Sequence, residues 1–137
     1  MNAGGTHREA RSFASLPASC RAVRLFVGDF LRAHHASDVI IKDYQLVVSE
    51  LAANVVEHGA GSELTVVVDA GDPLWWDVNV ADGPAFSRSQ VLRPHAWAVA
   101  HPSQISGRGL GIIRHLMDDI AVIDTNGHIS IGCRRRR

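Results

Sequence analysis

Lysine is almost missing from this sequence. Of 14 basic residues only Lys42 is not arginine, and we attach no function to that bias. Net charge is missing too: 14 basic against 14 acidic residues give a formal +0. No global field therefore steers the chain toward nucleic acid or an anionic membrane. Cysteine is scarce. Cys20 and Cys133 lie far apart, form no CxxC pair and read as two reduced thiols of a cytosolic protein. No apolar run approaches the ~18 residues that span a bilayer. The polar start MNAGGTHREA has no apolar signal-peptide core, so the expectation is a cytoplasmic protein without a membrane partner. The histidines at 7, 34, 35, 58, 95, 101, 115 and 128 lack metal-ligand spacing, so no zinc site is expected. Neither a Ser-His-Asp nor a Cys-His arrangement has supporting context.

What is present is a globular composition. The 137 residues are 46% hydrophobic, with a mean hydropathy of +0.02, which suits one domain with a real core. Residues 1–9 read as an N-terminal tail grading into a short first strand, REARSFASL (8–16), ended by Pro17. Val23, Leu25, Phe26, Val27, Phe30 and Leu31 recur at helical spacing and predict a helix over 18–34. HHASD interrupts it, and Ser37 or Asp38 can cap a second helix over 39–58 that stops at Gly59. ELTVVVDA and LWWDVNVAD alternate like strands around the AGDP turn and predict a hairpin. Trp75 and Trp76 must then point to opposite faces, so at least one is core.

Residues 83–106 carry Pro84, Pro94 and Pro102 without periodicity and read as a functional loop or lid. A third helix follows Gly109. Two last strands, DIAVIDT and HISIGC, meet at Asn126-Gly127, and RRRR at 134–137 reads as a solvated basic tail. The order β-α-α-β-β-loop-α-β-β implies an α+β two-layer sandwich, with one mixed sheet and helices on one face.

Three stretches carry chemistry. In SELAANVVEHG, at ~100° per residue, Asn54 falls roughly 20° from Val47 at the edge of the apolar arc, and Glu50 about 40° further round. Half-buried polar groups require partners. A hard cation such as Mg²⁺ suits the amide oxygen, and a carboxylate one turn away suits a general base. Equally, Glu50 can face solvent while Asn54 bonds backbone or water. In VADGPAF, Asp82 ends a strand: either an ordinary turn, or an acceptor for an exocyclic amine such as that of adenine, with Gly83 permitting close approach. In SGRGLGIIRHLMDD, Gly107, Gly109 and Gly111 open a helix, as a plain junction or as a backbone cradle for phosphate.

Taken in this order, the three stretches resemble the layout of GHKL ATPases and their Bergerat nucleotide-binding fold. Among these, the chain is most similar to the small bacterial anti-sigma-factor serine kinases. ELAANVVEHG resembles their N box, VADGPAF their first glycine box, and GRGLGIIRHLMDDIAV their second; the likeness spans about residues 10–133. It implies Glu50 as general base, Asn54 as the Mg²⁺ ligand and Asp82 on adenine with Gly83. Gly107, Arg108, Gly109, Leu110 and Gly111 would line the phosphates. Arg88, Arg93 and Arg108 are the available lid cations, and Arg24 on the first helix would face a protein partner. Two departures stand out. The usual D-x-G is here Asp82-Gly83-Pro84, and His128 takes a position that is often threonine.

The resemblance implies an ATP- and Mg²⁺-dependent protein serine kinase that also acts as an anti-sigma factor. Its partners would be a sigma factor and an antagonist protein that it phosphorylates, with a homodimer possible and no direct nucleic-acid contact. The alternative expectation, prompted by the two departures, is a non-catalytic binding module on the same fold.

Overall fold

In the computed structural model, residues 7–58, 61–83, 107–125 and 128–137 are described, with backbone only for 107–110, 123–125 and 128–129. The chain runs β1 (Arg8–Ala14), α1 (Ser19–Ala33), α2 (Asp38–His58), β2 (Glu63–Asp69), β3 (Trp75–Asp82), α3 (Gly107–Leu116), β4 (Asp119–Thr125) and β5 (His128–Arg136). The expected first strand begins at Arg8 as read from REARSFASL, and Arg8 and Glu9, the end of the expected 1–9 tail, pair with Asp69 and Val68. The expected lid beyond Gly83, together with Gly59, Asn126-Gly127 and residues 1–6, lies outside the described residues.

The first helix stops for a local reason. His35 adopts φ 66, and the Ala36 N–H reaches back to the Leu31 carbonyl at 3.0 Å while the His35 N–H reaches Arg32 at 3.0 Å. These are the two bonds of a left-handed helix cap, made here without glycine. The next helix starts on Ser37, whose Oγ accepts from the Ile40 N–H at 3.2 Å. Of the two caps the sequence offers, the hydroxyl is the one used.

Apolar periodicity sets the layers. Val23, Phe26, Val27, Phe30 and Leu31 of α1 join Tyr44, Val47, Val48, Leu51 and Val55 of α2 in one buried cluster. From the sheet come alternate residues: Leu64, Val66 and Val68 of β2, Trp76, Val78 and Val80 of β3, Ile131 and Cys133 of β5. Ile113 and Met117 bring α3 into the same core. All three helices thus cover one face. The Tyr44 hydroxyl pins α2 to the sheet by donating to the Trp76 carbonyl at 2.5 Å.

The strand order is β1-β2-β3-β5-β4, and every pairing is antiparallel. This corrects the expected mixed sheet. The crossover through α3 returns β4 in the direction of β3, which side by side would make a parallel pair. Instead β5 folds back from β4 and inserts between them.

A second correction concerns the arginine run. β5 continues through Arg136, so 134–137 is not a tail. Arg134 faces away from the helices, buried between Asp77 at 3.7 Å and Asp119 at 3.9 Å, with its guanidinium 3.8 Å from the Trp75 ring centre. Arg135 points the other way and pairs with Asp43 of α2. Arg137 lies 3.9 Å over the Trp76 ring and donates to the carbonyls of Ala70 and Asp72. Cross-strand acids and aromatics capture cations that composition alone would leave in water.

Candidate functional site

Glu50 and Asn54 share one side of α2, a turn apart. Glu50 is half-buried and Asn54 is 6% exposed, at the margin of the Val47–Val48–Leu51–Val55 stripe. Asp82 is equally buried, at 6%. Because it pairs with Leu64, whose side chain is in the core, Asp82 also faces the helix layer.

Chain direction brings these groups to one end of the molecule. Tyr44 anchors the first half of α2 at Trp76, near the start of β3. From there α2 and β3 run the same way, about 15 Å along the helix to Asn54 and about 20 Å along the strand to Asp82. His58 ends the helix only three residues before Gly61, whose N–H donates to Asp82 Oδ1 at 2.8 Å. Asn54 and Asp82 therefore stand at the same end of the helix–sheet interface, on facing layers.

The turn after Asp82 is held from β2. Gly83 adopts φ 107, a conformation glycine takes without strain. Its N–H donates to the Glu63 carbonyl at 2.7 Å, and its carbonyl accepts from Thr65 Oγ1 at 3.0 Å. The Thr65 hydroxyl also lies 3.2 Å from Ser12 Oγ on β1.

Gly107, Gly109 and Gly111 open α3 and fall within its first two turns, Gly107 being its first residue. The first turn of a helix presents free N–H groups. A Cβ built on Gly111 meets nothing within 4 Å, and the residue is exposed. Packing among the described residues does not demand glycine there. The side chains of Arg108, Leu110 and His128, and all of Arg88 and Arg93, lie outside the described residues.

Arg24 of α1 reaches across to α2. Its Nη1 donates to Ser49 Oγ at 3.2 Å, Ser49 donates to the Gln45 carbonyl at 2.8 Å, and Gln45 Nε2 returns a bond to the Arg24 carbonyl at 3.2 Å. Gly28 makes room for this network: a Cβ there would stand 2.4 Å from Gln45 Nε2. Burial pushes the nearby Cys20 thiol up, Arg24 opposes this, and Glu50 adds to it. Arg24 and Glu50 are thus electrostatic neighbours of the same thiol. Sequence reasoning missed Ser49, Gln45, Gly61 and Thr65, whose bonds to Arg24, Asp82 and Gly83 span 18 to 25 positions. Gly61, two residues before the ELTVVVDA run, carries no motif of its own that could have marked it.

Among the described residues, no cluster of three or more His, Cys, Asp or Glu side chains could hold a metal, and no helix is long and apolar enough to cross a membrane. A single buried amide oxygen fits a divalent ion that brings phosphate and water ligands with it, and does not fit a resident metal centre.

A five-stranded sheet covered on one face by helices, with polar groups gathered at one end of the interface, is the architecture of the GHKL ATP-binding domains. The profile of the histidine kinase-like ATPase domain matches residues 13–131, and the chain belongs to that family. Among solved structures it is similar to the RsbU and RsbW domains of Rv1364c from Mycobacterium tuberculosis, with a TM-score of 0.67 at 19% identity. That likeness covers 94% of this chain but 32% of the other. No curated protein sequence matches.

Proposed function

We propose that this ATPase-family domain is an ATP- and Mg²⁺-dependent protein serine kinase that doubles as an anti-sigma factor. The observation that carries the reading is the pairing of half-buried Glu50 with buried Asn54, one helical turn apart and at the same end of the interface as Asp82. The structural likeness to a protein containing an RsbW domain supports the regulatory side of the proposal.

In this reading Asp82 accepts a hydrogen bond from the adenine amine, and the first turn of α3 gives its N–H groups to phosphate oxygens. Asn54 would hold Mg²⁺ through its amide oxygen; when bound, the ion neutralises charge on the phosphates. Glu50 accepts the proton of the attacking serine hydroxyl of an antagonist protein. Phosphoryl transfer needs little more than this positioning and charge balance. Arg24, which donates to Ser49 Oγ from α1, is the side chain we assign to partner contact.

The test is transfer of labelled phosphate from ATP to a candidate antagonist. Asn54→Ala is expected to reduce transfer by at least about a hundredfold, as removal of one essential electrostatic contact does. Unchanged transfer would discard the mechanism. Calorimetry with ATP and Mg²⁺ separates the non-catalytic alternative, for which no heat of binding is expected even at millimolar nucleotide.

A further inference from the structure

The stretch that resembles a first glycine box reads Asp82-Gly83-Pro84 in place of D-x-G, and the segment from Gly61 to Thr65 holds it. Gly61, Glu63 and Thr65 all grip the Asp82-Gly83 pair. The Gly61 N–H holds Asp82 Oδ1 at 2.8 Å, the Glu63 carbonyl takes the Gly83 N–H at 2.7 Å, and Thr65 Oγ1 holds the Gly83 carbonyl at 3.0 Å. Position 61 has no room for a side chain. A Cβ there would stand 2.7 Å from Asp82 Oδ1 and 3.3 Å from both the nitrogen and the Cα of Gly83.

We infer that Gly61 and Thr65 are positioning residues that set base preference, fixing the Asp82 carboxylate to favour a purine with an exocyclic amine. The inference rests on the nucleotide reading of the site. A backbone N–H cannot rotate away as a side-chain donor can, so it fixes the direction of both carboxylate oxygens. A side chain at 61 would push the Asp82 carboxylate out of this close approach. Thr65 then prevents the Gly83 turn from swinging the carboxylate off line. A site built to accept a hydrogen bond discriminates strongly against an analogue that cannot donate it, provided the acceptor is held in place. In this chain the restraint on Asp82-Gly83 comes from Gly61, Glu63 and Thr65.

The experiment compares binding of ATP and ITP, which carries a keto group in place of the amine, to the full chain with Mg²⁺. Gly61→Ala is expected to lower ATP affinity about tenfold and leave ITP affinity within about twofold, so the ATP/ITP ratio collapses. Thr65→Val should move the ratio in the same direction by about threefold, and it decides the matter if Gly61→Ala does not fold. A ratio that stays at the wild-type value while both affinities fall together would mean a merely structural role and overturn the inference. Wild-type protein that binds ATP but prefers it no more than ITP would overturn it while leaving the kinase reading intact. Wild-type protein that binds neither nucleotide overturns both.

Discussion

His35 shows how one residue can hold a helix end at a cost. It occupies the left-handed region at φ 66, where a Cβ is strained and glycine is not. The fold accepts the strain because the two cap bonds from His35 and Ala36 stop α1 and turn the chain into α2. Replacing His35 by glycine is expected to stabilise the protein by about 0.5–1 kcal/mol, read as a higher urea midpoint with an unchanged slope. Nothing in the letters HHASD singles out this position. Sequence shows where a helix must break, whereas which residue takes the positive φ depends on how the next helix docks.

At the scale of elements, α3 sets helical stability against the work proposed for it. Glycine inside a helix costs roughly 0.8–1 kcal/mol relative to alanine, and Gly109 and Gly111 both lie within the ten-residue α3. Gly111 is exposed and a Cβ there meets no neighbour, so Gly111→Ala should raise the melting temperature of the free protein. If the glycines serve close approach of phosphate, the same substitution should weaken ATP binding. Melting and nucleotide titration on one sample check both halves, and a variant that is more stable and binds ATP normally would remove Gly111 from the site. The element order was legible throughout, because periods of 3.6 and 2 are written directly into the apolar residues. The end of β5 was not. Four consecutive arginines look like a solvated run until Asp77, Asp119, Asp43 and two tryptophans are found around them.

For the molecule as a whole, that ion row ties stability to pH. Asp77 is pushed up from 3.8 to about 6, first by burial, then by the neighbouring Asp69 and Asp72, with Arg134 pulling the other way. A carboxyl raised in the folded state binds its proton more tightly there than in the unfolded chain. Stability conferred by Asp77 is therefore complete below about 3.8 and declines as pH rises through about 6. Across that window the wild type should lose part of its unfolding free energy, and Asp77→Asn, which cannot titrate, should flatten the profile. Urea midpoints measured from pH 4 to 7 give the comparison, and identical slopes would rule Asp77 out as the group responsible.

From sequence alone came the α+β class, the run of elements, the core stripes, and the residue types at 50, 54, 82 and 107–111 that suggest a nucleotide site. Those are local properties, set by periodicity, capping and the chemistry of each side chain. Folding decided what no spacing reveals. It inserted β5 between β3 and β4 to make the sheet wholly antiparallel, buried Arg134 in a cross-strand ion row, and set Gly61 against Asp82 from 21 positions away. The reason is physical: pairing and burial bring together groups distant in the chain, and hydrogen bonds and ion pairs depend on that distance in space.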